Sequence, residues 1–136
     1  MRTRIKICGL RTVEAVQACA QHGADAIGFV FYPPSPRAVT VQDLAPLLAC
    51  IPPWVTPVAL FVNPSVSEVE AVVKAIPQVL LQFHGDESPE FCAGFSRPYL
   101  KAIRMKEGVD LLGEAQRFQG AQGLLIDSWS DQYGGS

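Results

Sequence analysis

Ala26-Ile27-Gly28-Phe29-Val30-Phe31 is apolar along its whole length. A strand with one wet face alternates apolar and polar residues, whereas an unbroken apolar run belongs to a parallel strand covered on both faces. Most of the other predicted strands, at residues 4–8, 57–62, 79–84, 99–104 and 123–127, share this character. The run therefore reads as one strand of a parallel sheet.

Amphipathic stretches with recognisable starts and stops separate these strands. Thr12 is placed to cap a helix carrying Val13, Val16 and Ala20, with Gly23 at its end. Ser65 and Glu68 form a capping box before Val69, Val72, Val73 and Ile76, and Pro77 stops that helix. Ser88-Pro89-Glu90 is a cap followed by proline at the first helical position. Val109, Leu112, Ala115 and Phe118 make a further apolar stripe, closed by Gly120. Thr40 and Asp43 cap another helix, which must begin late or kink because Pro46 falls inside it.

Six strands alternate with five helices, and right-handed crossovers are expected. The fold class is α/β, either an open doubly wound sheet or a (β/α)8 barrel of the TIM type. No linker or charge run divides residues 1–136, so they read as a single domain. An eight-unit barrel takes about 250 residues. The expectation is thus an incomplete barrel of six strands, from a longer natural protein, with open edges prone to self-association.

Composition excludes several classes. With 49% hydrophobic and 18% charged residues, the chain can bury a core without disulfides. A net charge of -2 gives no reason to expect nucleic acid or a membrane as partner. The cysteines at 8, 19, 50 and 92 show no zinc spacing and read as free thiols of a cytoplasmic protein. No apolar stretch is long enough to span a bilayer.

Two strand ends carry reactive groups. Cys8 closes Arg4-Ile5-Lys6-Ile7-Cys8-Gly9, and Asp127 closes Gly123-Leu124-Leu125-Ile126-Asp127. Parallel α/β enzymes keep their chemistry at the carboxyl ends of strands. A thiolate can take a proton and a carboxylic acid can give one, so the pair suggests proton transfer. By itself Cys8 is better read as a small buried hydrophobe, and its place at a strand end beside Gly9 shifts the reading towards function. Asp127 is a helix cap or a group aimed into a site, and Ser128 can do the capping in its place.

The stiff loop Phe31-Tyr32-Pro33-Pro34-Ser35-Pro36-Arg37 presents a guanidinium suited to a carboxylate. On this pattern alone a surface arginine is equally expected. His84, ending the fourth strand, reads as a polar support, and with only His22 as a second histidine no metal site is expected. Asn63 and Arg104 end the third and fifth strands as rim candidates. Gly134-Gly135-Ser136 can open a phosphate loop.

Lys6-Ile7-Cys8-Gly9, the loop from Phe31 to Arg37, Leu60-Phe61-Val62-Asn63, Leu81-Gln82-Phe83-His84-Gly85 and Leu125-Ile126-Asp127-Ser128 together resemble the phosphoribosylanthranilate isomerases of tryptophan biosynthesis, in order and spacing over the whole chain. The resemblance implies a (β/α)8 barrel and an Amadori rearrangement of a phosphosugar substrate without cofactor. It implies Cys8 as general base, Asp127 as general acid and Arg37 as partner of the anthranilate carboxylate. It also implies that Gly134-Gly135-Ser136 opens a phosphate site, although the last two strands of that family have no counterpart here. Another phosphosugar isomerase or epimerase, an inactive barrel fragment, and a non-catalytic doubly wound module are the competing readings.

Overall fold

The structure is a computed structural model that describes residues 1–131. Six strands form one sheet: β1 (Lys6–Cys8), β2 (Ala26–Val30), β3 (Thr56–Phe61), β4 (Leu80–Phe83), β5 (Tyr99–Met105) and β6 (Gly123–Ser128). Their spatial order is β1-β2-β3-β4-β5-β6, and every pairing is parallel. A doubly wound sheet reverses its strand order at a switch point. Here each strand lies beside its sequence neighbour, which excludes that alternative and leaves the barrel-type winding.

The helices are α1 (Val13–Gln21), α2 (Leu44–Leu48), α3 (Val66–Ala75), α4 (Pro89–Ala93) and α5 (Leu111–Arg117). The expected caps at Thr12, Ser65 and Ser88 are formed, each side chain accepting a backbone N–H three residues on. The Pro46 expectation is met by a late start. Residues Val41–Asp43 form a 3-10 turn, and α2 begins only at Leu44. Pro46 is then the third residue of the helix, where its missing N–H has no intrahelical acceptor to lose.

One helix reading is corrected. Val109 and Phe118 of the expected stripe pack on the core but Leu112 does not, because α5 starts at Leu111 behind an Asp110 cap that accepts the Gly113 N–H at 3.1 Å. Leu111 packs on the core and Leu112 is 78% exposed.

The sheet has two different faces. Ile27, Phe29, Ala59, Phe61, Leu81, Phe83, Tyr99 and Ile103 join Val16, Leu44, Leu47, Val69, Val72, Cys92 and Phe118 from the helices in one core. Phe31, Phe61 and Phe83 stack across successive strands at 5.7 and 6.0 Å, giving that face an aromatic spine. Each fully buried large apolar side chain contributes roughly 1.5–3 kcal/mol. The opposite face carries a smaller cluster, Val30, Leu60 and Val62, with Cys8 and Tyr32 packed against it. Helices cover the outside, so this second face is the inside of the curl.

Candidate active site

Register decides which side chains share the inner face. Cys8 pairs with Gly28, Gly28 with Val58 and Val58 with Leu80. Two residues further along β4, Gln82 pairs with Leu100, and four further along β5, Arg104 pairs with Asp127. Partnered residues in a parallel sheet point the same way, and so do residues two apart. Cys8, Gln82, Arg104 and Asp127 therefore all face inward, with Cys8, Arg104 and Asp127 toward the carboxyl ends of their strands.

Glycines make room for two of the candidate groups. A Cβ on Gly28 would lie 2.7 Å from Cys8 Sγ, so only glycine there admits the thiol. Gly9 has φ +83°, and a Cβ on it would lie 2.7 Å from the Arg37 guanidinium. Arg37 Nη1 donates to the Cys8 carbonyl at 3.5 Å. The structure thus brings Arg37 beside Cys8 from the loop after β2.

Asp127 lies within β6, which continues to Ser128, so it caps no helix. Its Oδ2 is 2.9 Å from His84 Nε2, and His84 Nδ1 is 3.2 Å from Gln82 Nε2. With the Gln82 amide nitrogen as donor, Nδ1 accepts, and the matching tautomer carries its proton on Nε2, directed at Asp127. Gln82 and His84 are buried, and Gln82 Oε1 is buried with no hydrogen-bond partner among the described residues.

The remaining rim candidates are engaged with neighbours. Asn63, at φ +47°, accepts the Asp86 N–H on Oδ1 at 2.8 Å. Gly85 lies so close that a Cβ there would meet Asn63 Oδ1 at 2.7 Å. Arg104 Nη1 donates to the Ser130 carbonyl at 3.2 Å, and its guanidinium lies 4.6 Å over the Trp129 ring. Gly134, Gly135 and Ser136 lie outside the described residues.

Sequence reasoning missed Gln82, Glu87 and Lys101. The signal was present: Gln82 and Lys101 are polar residues set among apolar neighbours in their strands, and both are buried. Glu87 and Lys101 form an ion pair at 3.0 Å with side chains 2% and 4% exposed. Behind the sheet, burial pushes the Cys92 thiol up to about 12. A separate cleft of about 670 Å³ opens beside Glu87, Lys101, Asp110, Arg117 and Trp129, and neither Cys8, Arg37 nor Asp127 lines it. Among the described residues no group of three or more His, Cys, Asp or Glu is placed to hold a metal, and no helix is long and apolar enough to cross a membrane.

A singly wound parallel sheet with helices outside, and a thiol and a carboxyl on its inner face, defines a protein of the TIM-barrel type. The profile of the N-(5'-phosphoribosyl)anthranilate (PRA) isomerase family matches residues 5–136, and the chain belongs to that family. It is 55% identical over 135 residues to the N-(5'-phosphoribosyl)anthranilate isomerase of Methylibium petroleiphilum, covering 99% of this chain and 63% of the relative. It is 56% identical over 126 residues to that of Alcanivorax borkumensis, covering 93% of this chain and 58% of the relative. The chain thus spans about three fifths of the length of these curated relatives.

The crystal structure of phosphoribosyl anthranilate isomerase from Thermotoga maritima superposes with TM-score 0.88 at 31% identity, over 99% of this chain and 66% of that one. Another structure of such an isomerase, in complex with reduced 1-(o-carboxyphenylamino)-1-deoxyribulose 5-phosphate, superposes with TM-score 0.85 at 30% identity. That match covers 95% of this chain and 66% of the other.

Proposed function

We propose that the natural protein isomerises N-(5-phosphoribosyl)anthranilate to 1-(2-carboxyphenylamino)-1-deoxyribulose 5-phosphate in tryptophan biosynthesis, with residues 1–136 supplying the first six strands of one barrel domain. The observation that carries this reading is the placement of Cys8 and Asp127 on one inner face, at the ends of β1 and β6, in a chain of this family.

In this mechanism Asp127 gives its proton to the furanose ring oxygen. The bond from that oxygen to C1 breaks as the anilino nitrogen's lone pair forms an iminium. The iminium acidifies the C2–H, and the Cys8 thiolate takes that proton. The resulting enolamine tautomerises to the ketone, so atoms and charge balance without an external oxidant or reductant. Where His84 Nε2–H donates to Oδ2, Oδ1 is the oxygen left to carry the proton that the acid gives. Arg37 binds the anthranilate carboxylate, which favours this substrate over a plain sugar phosphate. His84, Asn63 and Arg104 contact the substrate at the rim, and Gly134, Gly135 and Ser136 are assigned to the phosphate site from their sequence alone. Four free thiols suit a reducing cytoplasm.

The test is the loss of phosphoribosylanthranilate fluorescence on adding the purified natural protein. Turnover is expected, with kcat falling roughly 10²-fold or more in Cys8→Ser and in Asp127→Asn while binding persists. No turnover by the parent, or parental turnover by both variants, overturns the reading.

A further inference from the structure

Gly85 directly follows His84, and both of its backbone polar groups are held. Its N–H donates to Glu87 Oε1 at 2.9 Å, and its carbonyl accepts from Lys101 Nζ at 2.6 Å. Glu87 Oε2 accepts the Asn63 N–H at 2.8 Å, and Lys101 Nζ closes the ion pair on Oε1. One buried pair therefore ties together the middle of β5, the loop after β4 and the loop after β3.

Stability alone is a poor reason for this arrangement. Packed apolar residues of similar volume usually replace a buried ion pair without loss, whereas removing one partner strands a charge. What apolar side chains cannot supply is the hydrogen-bond pattern: two carboxylate oxygens accepting three donors, and an ammonium answering a carbonyl. Those bonds orient the peptide that carries His84. Lys101 lies on the helix-facing side of β5, since it alternates with inward-facing Ala102 and Arg104, so the pair touches no inner-face ligand.

We propose that Glu87 and Lys101 are positioning residues for the acid: by fixing Gly85 and Asn63 they set the His84 ring, and through it the Asp127 carboxyl. The inference rests on the reading of Asp127 as general acid. It predicts a change in turnover with little change in substrate affinity.

The experiment compares parent, Lys101→Met and the double variant Glu87→Leu/Lys101→Met in the full natural protein. Each is read for melting temperature, kcat, KM and the 15N and 1H signals of the His84 ring. The single variant should melt lowest, and the double variant should recover stability because no charge is left stranded. Its kcat should nevertheless remain roughly 10²-fold below the parent at near-parental KM, with the His84 Nε2–H signal shifted from its parental position. Parental kcat and an unmoved His84 signal in the stable double variant would overturn the proposal. If that variant does not fold, Glu87→Gln is read in the same way, since its single carbonyl oxygen cannot accept all three donors. A silent parent would count against the isomerase reading, while the His84 signal would still decide whether the pair sets the ring.

Discussion

At Cys8 the neighbouring strand gives up a side chain, and at Gly9 the backbone turns left-handed so that Arg37 can lie against it. Two reactive groups of opposite character are thereby held side by side. Arg37 should act on affinity: removing a bidentate, charge-assisted contact to the anthranilate carboxylate costs about 1.5–3 kcal/mol. Arg37→Ala should therefore raise KM roughly 10- to 100-fold at modest change in kcat, and Arg37→Lys should remain impaired because it lacks the fork. Steady-state kinetics on both variants decides this, and an unchanged KM in Arg37→Ala would reduce the arginine to a loop fixture. The thiols should separate by chemistry as well. Cys92 is fully buried and its thiol is raised, so iodoacetamide should modify the half-buried Cys8 well before Cys92, as peptide mass mapping would show. Burial disfavours only the charged thiolate, so stability is undiminished below the ordinary 9.0 and falls as pH climbs from there towards about 12. Denaturant midpoints across that window should fall for the parent and fall less for Cys92→Ala.

The shortest strand, β1, depends on a carboxylate outside it. Asp25 Oδ2 accepts the Ile5 N–H at 2.8 Å and the Arg2 Nη1 at 3.0 Å. The Arg2 hydrogen bond first, and then the Ile5 N–H, hold Asp25 well below the usual carboxylate range. A depressed carboxyl stabilises the folded state above the ordinary 3.8 and loses that contribution as pH falls towards its folded value. Acidification should therefore release the Ile5 amide, and Asp25→Asn should flatten the response; amide exchange followed by NMR against pH measures both. Strand and helix existence was legible from apolar runs and caps because those signals are local. The Leu112 phase was not, since Asp110 and Thr12-like caps compete with apolar spacing and only the cap geometry fixes where a short helix begins. Cys8 and Asp127 were legible at or next to the carboxyl ends of their strands. Gln82 and Lys101 were legible only as polar residues inside strands, and the joint role of Glu87 and Lys101 was hidden because their partners come from other elements.

On the scale of the molecule, β1 and β6 stand at opposite margins of the sheet, and among the described residues neither pairs on its outer side. Ile5, Ile7, Ile126 and Trp129 are large apolar side chains exposed at or beside these margins. Unpaired strands with apolar flanks recruit other chains. The 136-residue polypeptide should accordingly associate in solution and turn over little phosphoribosylanthranilate, which sedimentation and the fluorescence assay would establish together; a monomer with full turnover would contradict it. The strand order has a further consequence for synthesis. Because every strand docks on the one made just before it, a chain emerging from the ribosome can grow its sheet in the order of its codons. The thiol and the arginine are laid down with the first two strands, and Asp127 arrives only with the sixth. On the reading proposed above, a nascent chain owns its base and its anion site long before its acid, and stays chemically silent at least until all six of these strands have been added.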